Sequence, residues 1–391
     1  MPLSTLRPEA LNAPSSGIVE VFDYGRNREG LIPLWVGEGD LSTPAFISEA
    51  ATRSLAAGET FYTYQSGLPD LRQAIARYIN RHYGTQFGMD RFHVTIGGMH
   101  ALQMALRMVA GTGDEILIPT PAWPNFYGAA VVSGATPVDV PMTLQPRGNE
   151  HVWALDFSRM QAAVTPKTKA IIINSPSNPT GWTATRAELQ QVLDLARAKG
   201  LWIIADEIYG RFVYDGTARA PSFHDIMDEQ DKIMFVQTLS KNWAMTGWRI
   251  GWLECPVWMS ETVENLVQYS SSGVAAFMQR AAIAALEQGE SFVEHQLVRA
   301  RAGREIVMRG LGQLDHLHFG AVDGAFYLFF RVDGVTDTRQ LALDLVDRAN
   351  VGLAPGTAFG TGAQDYIRMC FARKAEDLEE ATRRLVKALS R

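Results

Sequence analysis

In the stretch FVQTLSKNWAMTGWRIGW, residues 235–252, a lysine closes an apolar run just behind two hydroxyl residues. The hydroxyls are Thr238 and Ser240, the lysine is Lys241, and Arg249 follows eight positions later. A partly desolvated lysine has a lowered pKa, and its free amine is a nucleophile. A permanent cation beside hydroxyls suits a phosphate. Taken singly, the same residues also read as a snorkelling surface lysine and a structural ion pair.

Other apolar runs end on groups of similar interest. Behind LWIIA stands Asp206, a carboxylate that is costly to bury without a cation or an N–H. Tyr209, three residues on, reaches the same place if the chain turns helical; otherwise Asp206 is an ordinary N-cap. Behind AIIIN comes SPSNPTG, a turn signal in which Asn178 can aim its amide at a ligand oxygen. Trp123, after another run, offers a flat face for a planar ring or simply fills a rim. Gly97, Gly98 and Met99 open a helical pattern, where backbone N–H groups and the helix dipole favour an anion. A glycine pair equally makes a plain tight turn.

These groups share one address, because ligands of open parallel sheets sit outside the carboxyl ends of the strands. One ligand uses them all: pyridoxal 5'-phosphate. Its phosphate takes the Gly97–Met99 amides, the Thr238 and Ser240 hydroxyls and Arg249. Its aldehyde condenses with Lys241 as a Schiff base. Its ring nitrogen stays protonated against Asp206, which keeps the ring an electron sink. Asn178 and Tyr209 bond the ring oxygen, and Trp123 stacks on the ring. No metal is called for.

The elements that must position these residues are legible from periodicity. Apolar runs at His93–Ile96, Glu115–Ile118, Ala170–Asn174, Leu201–Ala205, Ile233–Gln237 and Arg249–Leu253 predict buried strands of a mostly parallel sheet. Helical stretches between them make the fold class α/β. Leu71, Ile75, Tyr78, Ile79 and His82 predict a helix over Pro69–Tyr83. A long helical connector over Ser291–Leu314 leads to a smaller α+β part, with strands at Ala325–Val332 and Tyr366–Phe371 and helices near Gln340–Ala349 and at the end. Residues 1–45, rich in Pro and Gly, read as irregular. The expected division is a large cofactor-binding domain over 46–290 and a small domain from 1–45 plus 291–391.

Composition narrows the class. The chain has 391 residues, 47% hydrophobic and 20% charged, which is a globular balance with ample core. A net charge of -6 without a basic run argues against nucleic acid. Two distant cysteines, Cys255 and Cys370, build neither a disulfide framework nor a zinc site and fit a reducing cytoplasm. MPLSTLRPEALNAPSS lacks the basic head and apolar run of a secretory signal. No apolar run is long enough to span a bilayer.

The motifs in order identify a resemblance. Gly37-Glu38-Gly39-Asp40-Leu41-Ser42-Thr43-Pro44, Tyr62-Thr63-Tyr64-Gln65-Ser66-Gly67, Asn178-Pro179-Thr180-Gly181, Asp206-Glu207-Ile208-Tyr209, Ser240-Lys241-Asn242, Gly247-Trp248-Arg249-Ile250-Gly251 and Tyr366-Ile367-Arg368 span nearly the whole chain. It resembles the class I/II aminotransferases, fold type I pyridoxal-phosphate enzymes related to aspartate aminotransferase. The resemblance implies an L-amino acid and a 2-oxo acid as substrates, and a homodimer with shared active sites. It implies that Tyr62 reaches across the dimer to the partner's cofactor phosphate, that Arg368 clamps the substrate carboxylate, and that Gly37 contacts the same carboxylate. Trp123 and Asn178 are implied beside the substrate as well. The family often has Pro where Gly39 stands, Ser or Gly where Thr238 stands, and a small or polar residue where Met99 stands.

A C–S β-lyase on the same scaffold needs the same groups. Phe22, Tyr24, Trp243 and Phe326 hint at an apolar or aromatic substrate, and a hydrophobic core explains them equally well. A regulatory module with a DNA-binding domain ahead of the fold is disfavoured, since the motifs begin near Gly37. A nicotinamide-dependent oxidoreductase is disfavoured because the Gly97-Gly98 turn lacks the G-x-G-x-x-G pattern.

Overall fold

The computed structural model describes residues 6–390. Of the N-terminal stretch read for a secretory signal, residues 1–5 lie outside the described residues. The apolar runs form a seven-stranded sheet: β1 Phe92–Thr95, β2 Glu115–Thr120, β3 Thr136–Pro141, β4 Thr168–Asn174, β5 Trp202–Asp206, β6 Ile233–Thr238 and β7 Gly251–Glu254. The spatial order is β1-β7-β6-β5-β4-β2-β3. Both pairings of β7 are antiparallel and the others are parallel. Successive side chains of the central strands enter two different cores. Ile171, Ile173 and Ile203 pack with Leu117 on one face, while Ile172 and Ile204 pack with Leu106 on the other. That double burial is why these strands read as unbroken apolar runs.

The register places three strand ends in a row. Gly251 of β7 sits opposite Thr95 of β1 on one side and Thr238 of β6 on the other. Only glycine fits there, because a Cβ would lie 2.4 Å from the Gln237 carbonyl oxygen. The chain between Thr238 and Gly251 therefore leaves and re-enters the sheet on one rim.

The helix Pro69–Tyr83 has the predicted bounds. Pro69 stands in its first turn, Gly84 caps it at φ 70°, and Leu71, Ile75, Tyr78 and Ile79 are buried. The connector is the helix Glu290–Leu311, which packs on the closing helix Ala375–Leu389. A second sheet follows, with β8 Leu317–Phe319, β9 Tyr327–Val332, β10 Ala354–Pro355 and β11 Tyr366–Cys370 in the order β8-β9-β11-β10, all antiparallel. The N-terminal segment joins this part of the molecule through Ile32–Pro33, which pairs with Val351–Gly352.

Three expectations need correction. Residues 1–45 are not irregular throughout, since Pro8–Leu11 and Gly17–Gly25 are helical. The second of these buries Val21 beside half-buried Ile18 and Phe22, a helical spacing obscured by the surrounding prolines and glycines. Arg249 is not part of a strand; it has φ 53° after the short turn Thr246–Trp248, and β7 begins at Gly251. Edge strand β3 and the hairpin Thr143–Arg147/Glu150–Ala154 had no counterpart among the predicted runs. β3 carries Pro137 and Pro141, which an edge position tolerates but which break an apolar pattern. No helix among the described residues is long and apolar enough to cross a membrane.

Candidate active site

A cavity of about 420 Å³ opens at the rim where β2, β4, β5 and β6 end. Its wall includes Gly37, Gly98, Met99, Trp123, Asn178, Asp206, Tyr209, Thr238, Ser240, Lys241, Arg249 and Arg368. Gly97 lies just behind the wall. It has φ 73°, and a Cβ there would come within 2.7 Å of the Arg249 guanidinium. Tyr62 is not in this cavity; it is 94% exposed on the outer surface.

The lysine is held by a precise contact. Lys241 Nζ donates to the Gly37 carbonyl oxygen at 2.6 Å. Burial pushes its amine down to about 8. Gly37 must be glycine, since a Cβ would lie 2.2 Å from the Tyr327 hydroxyl.

Two adjacent carboxylates meet different environments. Glu207 turns into the protein, where Ser222 Oγ donates to it at 2.6 Å and the Phe223 amide at 3.2 Å. Asp206 is buried, and burial pushes its carboxyl up to about 7 even though the Ile208 N–H at 3.3 Å, the Lys241 charge and the Asn174 side chain all favour the carboxylate. A buried carboxyl raised in this way favours a cationic N–H as partner.

On the phosphate side, the helix Gly97–Val109 points its first turn at the cavity through Gly98 and Met99. Thr238 Oγ1 donates to Ser240 Oγ at 2.8 Å and accepts from the Ser240 amide at 3.1 Å. Arg249 donates to the Thr246 carbonyl at 2.7 Å and lines the same cavity as both hydroxyls.

On the opposite side Arg368, on β11, is 2% exposed. It donates to Asn178 Oδ1 at 2.9 Å and to the Trp35 carbonyl, and its Nε has no partner. Its guanidinium lies 4.7 Å from the Tyr327 ring centroid and 5.0 Å from that of Phe359. A buried cation with no ion-pair carboxylate among the described residues is poised for one from a ligand.

Sequence reasoning missed Tyr327, whose hydroxyl is 2.6 Å from that of Tyr209. Burial raises both phenols well above their usual range, so both stay protonated. Tyr327 sits inside the apolar run Ala325–Val332, where nothing marks it as different from core. Asn174, Ile18, Val19 and Val36 also line the cavity and were not singled out. The aromatic hint has a different outcome. Trp243 and Phe326 are core residues, Phe22 packs edge-on against Trp35, Tyr24 bonds Asp347, and none of them lines the cavity.

Comparison with known proteins fits this geometry. The family model "Aminotransferase class I and II" matches residues 29–385. An aromatic-amino-acid aminotransferase of Thermococcus litoralis is 33% identical over 96% of this chain and 95% of that protein. An aspartate aminotransferase of Pyrococcus horikoshii is 32% identical over 96% of this chain and 94% of its own length. A solved aspartate aminotransferase mutant of Thermus thermophilus superposes with a TM-score of 0.90 at 30% identity, covering 98% of this chain and 99% of that one. A rim that gathers an amine, a carboxylate and two guanidiniums, on a chain matched almost end to end, makes this protein a member of the class I and II aminotransferase family.

Proposed function

We infer that the protein is a pyridoxal-phosphate-dependent aminotransferase that moves the amino group of an L-amino acid to a 2-oxo acid. The observation that carries this reading is the meeting of Lys241, Asp206 and Arg368 in one cavity. The residues fit the cofactor. The Gly97–Met99 turn, Thr238, Ser240 and Arg249 would hold its phosphate, Asp206 its ring N–H, Asn178 and Tyr209 its ring oxygen, and Trp123 its ring face. When bound, pyridoxal phosphate supplies an electrophilic carbon and an electron sink.

The chain's own groups do the rest. Arg368 binds the substrate carboxylate as a bidentate pair, using its unpartnered Nε and the second N–H of a terminal nitrogen whose first N–H is held by Asn178 or Trp35. The Lys241 amine, free in part at neutral pH, takes the proton from the substrate α-carbon and returns it, a role contributing roughly 10²–10⁴-fold. Gly37 holds Nζ on the carboxylate side of the cavity meanwhile. The test is a half-reaction: the yellow protein is mixed with single amino acids, and the products are assayed. Oxo acid without ammonia supports transfer, whereas ammonia release points to elimination as in a β-lyase.

Two pH-linked results follow. Capture of pyridoxal phosphate by cofactor-free protein needs the unprotonated Lys241 amine. Its rate should climb as pH rises to about 8 and then level off. A rate still climbing toward 10.5, the ordinary lysine value, would refute the lowered pKa. For Asp206 the sign is opposite to a salt-bridged carboxylate. Its folded pKa is raised, so the cofactor-free fold loses stability as pH rises from 3.8 through about 7. Asp206→Asn should raise the thermal midpoint of the cofactor-free protein at pH 8, while cutting turnover by about 10²-fold or more. Thermal scans with and without cofactor check this, and a lowered midpoint without cofactor would count against it.

We also infer the division into a large domain, 46–290, and a small one, 1–45 with 291–391, and a homodimer with shared sites. Phe61, Tyr62, Tyr64 and Tyr269 are 62–94% exposed. Thr63 Oγ1 donates to the Val274 carbonyl at 2.9 Å and Gln65 bonds Gln268 at 2.6 Å, so these aromatics belong to one patch. Exposed apolar patches of this kind mark protein interfaces. Mixing Tyr62→Ala with Lys241→Ala protein under subunit exchange should restore activity above the sum of the two alone, since one site of each mixed dimer is intact. No restoration would oppose a shared site.

A further inference from the structure

One residue of the cavity wall, Tyr327, is left without a role by the groups that hold cofactor and substrate. It stands on β9 opposite Cys370 of β11. Its ring centroid lies 4.7 Å from the Arg368 guanidinium, and its hydroxyl meets that of Tyr209 at 2.6 Å. One side chain thus touches both the carboxylate grip and the phenol assigned to the cofactor's ring oxygen. The Tyr209 ring is boxed in by aromatic neighbours set at right angles to it, Phe326 at 5.1 Å and Tyr327 at 5.7 Å between centroids.

Counting hydrogens gives the contact a direction. Two protonated phenols carry two hydrogens, and only one can lie between the oxygens. The other needs an acceptor elsewhere. Among the described residues the Tyr327 hydroxyl has no hydrogen-bond partner but Tyr209. On another side it abuts Gly37, where a Cβ would sit 2.2 Å away, and a C–H offers no lone pair. Tyr327 is 0% exposed, so neither water nor a partner subunit reaches it. Were Tyr209 the donor, the Tyr327 hydrogen would be buried with no acceptor, and an unmade buried bond is costly. With Tyr327 as donor both hydrogens are used. One holds the pair together, and the other, on Tyr209, is free for the cavity that Tyr209 lines with Asp206 and Lys241.

We propose that Tyr327 is a positioning residue whose hydroxyl donates to Tyr209 and so turns the Tyr209 hydrogen toward the cofactor's ring oxygen, an assignment that rests on the aminotransferase reading. A hydroxyl that accepts a bond becomes a stronger donor, by about 10–30%. A stronger bond to the ring oxygen favours the more negative state of the bound cofactor. The nitrogen that joins it to Lys241 then gives up its proton at lower pH. The other charged and titratable groups around the two phenols are Asp206 at the end of β5, Arg368 and Cys370 on β11, and Lys241. Tyr327→Phe alters none of them and keeps the ring beside Arg368.

The test titrates the yellow colour of the holoenzyme against pH in the unaltered protein, Tyr327→Phe, Tyr209→Phe and the double variant. Tyr327→Phe should raise the midpoint by about 0.5 pH unit, and Tyr209→Phe by about 1 unit or more. The double variant should titrate with Tyr209→Phe, because Tyr327 acts through Tyr209. Tyr327→3-fluorotyrosine, a stronger donor of nearly the same size, should move the midpoint the other way. A role confined to packing would lower the thermal midpoint of Tyr327→Phe and leave the colour midpoint in place. That result overturns the proposal while the aminotransferase reading stands. Additive shifts in the double variant, or fluorotyrosine and phenylalanine shifting the midpoint in the same direction, overturn it too. A protein that never turns yellow with pyridoxal phosphate sinks the Lys241 link and the proposal with it.

Discussion

Replacing Lys241 by alanine is expected to cost about 10²–10⁴-fold in turnover from the proton-transfer role alone, and to leave the cofactor bound without a covalent link. Borohydride treatment followed by peptide mass analysis should then find no cofactor on the peptide containing residue 241. The physical reason is that, among the described residues, the cavity wall offers no other amine: its remaining cations are the guanidiniums of Arg249 and Arg368, which do not lose a proton at working pH. Lys241→Arg is the sharper variant. It keeps the charge and much of the bulk but cannot supply a free amine. It should be as inactive as the alanine form, and an arginine form that turns over would remove Lys241 from its role. The alanine change should not unfold the protein, since burial disfavours the charged amine in the native state; the arginine keeps a permanent cation at that buried place, so it should lower the thermal midpoint, and its folding is checked beside its activity.

Truncating Arg368 to alanine should have the second-largest effect. Removing one partner of a buried, charge-assisted pair costs about 2–5 kcal/mol, or roughly 30- to 5000-fold in kcat/KM. Cofactor affinity should change far less, because Arg368 stands on the Asn178 and Trp35 side of the cavity, away from Thr238 and Arg249. Arg368→Lys should recover only part of the loss, as an ammonium cannot form the two parallel bonds of the fork. Steady-state kinetics beside a cofactor titration separates the outcomes. Equal losses in both, or none in kcat/KM, would mean that the arginine is structural, holding Tyr327 and Phe359.

Much of this was written in the chain because a buried parallel sheet is an unbroken apolar run, and its ligands gather where the runs stop. Asp206, Lys241 and Asn178 stand immediately or a few residues after such runs, so a list of strand ends already contained them. Arg249 was placed in a strand because Ile250, Gly251, Trp252 and Leu253 extend its pattern; only the backbone shows that it precedes the pairing. Tyr327 was not legible at all. Its hydroxyl matters because β9 brings it to Tyr209, more than a hundred residues earlier in the chain, and no local pattern encodes that meeting. The N-terminal part of the cavity wall was hidden for a related reason. Ile18 and Val19 lie in a short helix among prolines and glycines, whereas the conspicuous aromatics of that helix face elsewhere, Phe22 against Trp35 and Tyr24 toward Asp347.

The pairing of Gly251 with Thr238 and Thr95 has a mechanical consequence. Residues 239–250 form an arch whose two feet stand side by side, so little entropy is needed to close it. The arch carries both Lys241 and Arg249, and the third foot in the row, Thr95, leads into the Gly97 turn. Reversing one strand thus welds the anchorage for phosphate and aldehyde into a single stiff clasp. Arg368 hangs from a different sheet, so if any part of the site travels when substrate arrives, it is the carboxylate grip that swings toward the clasp.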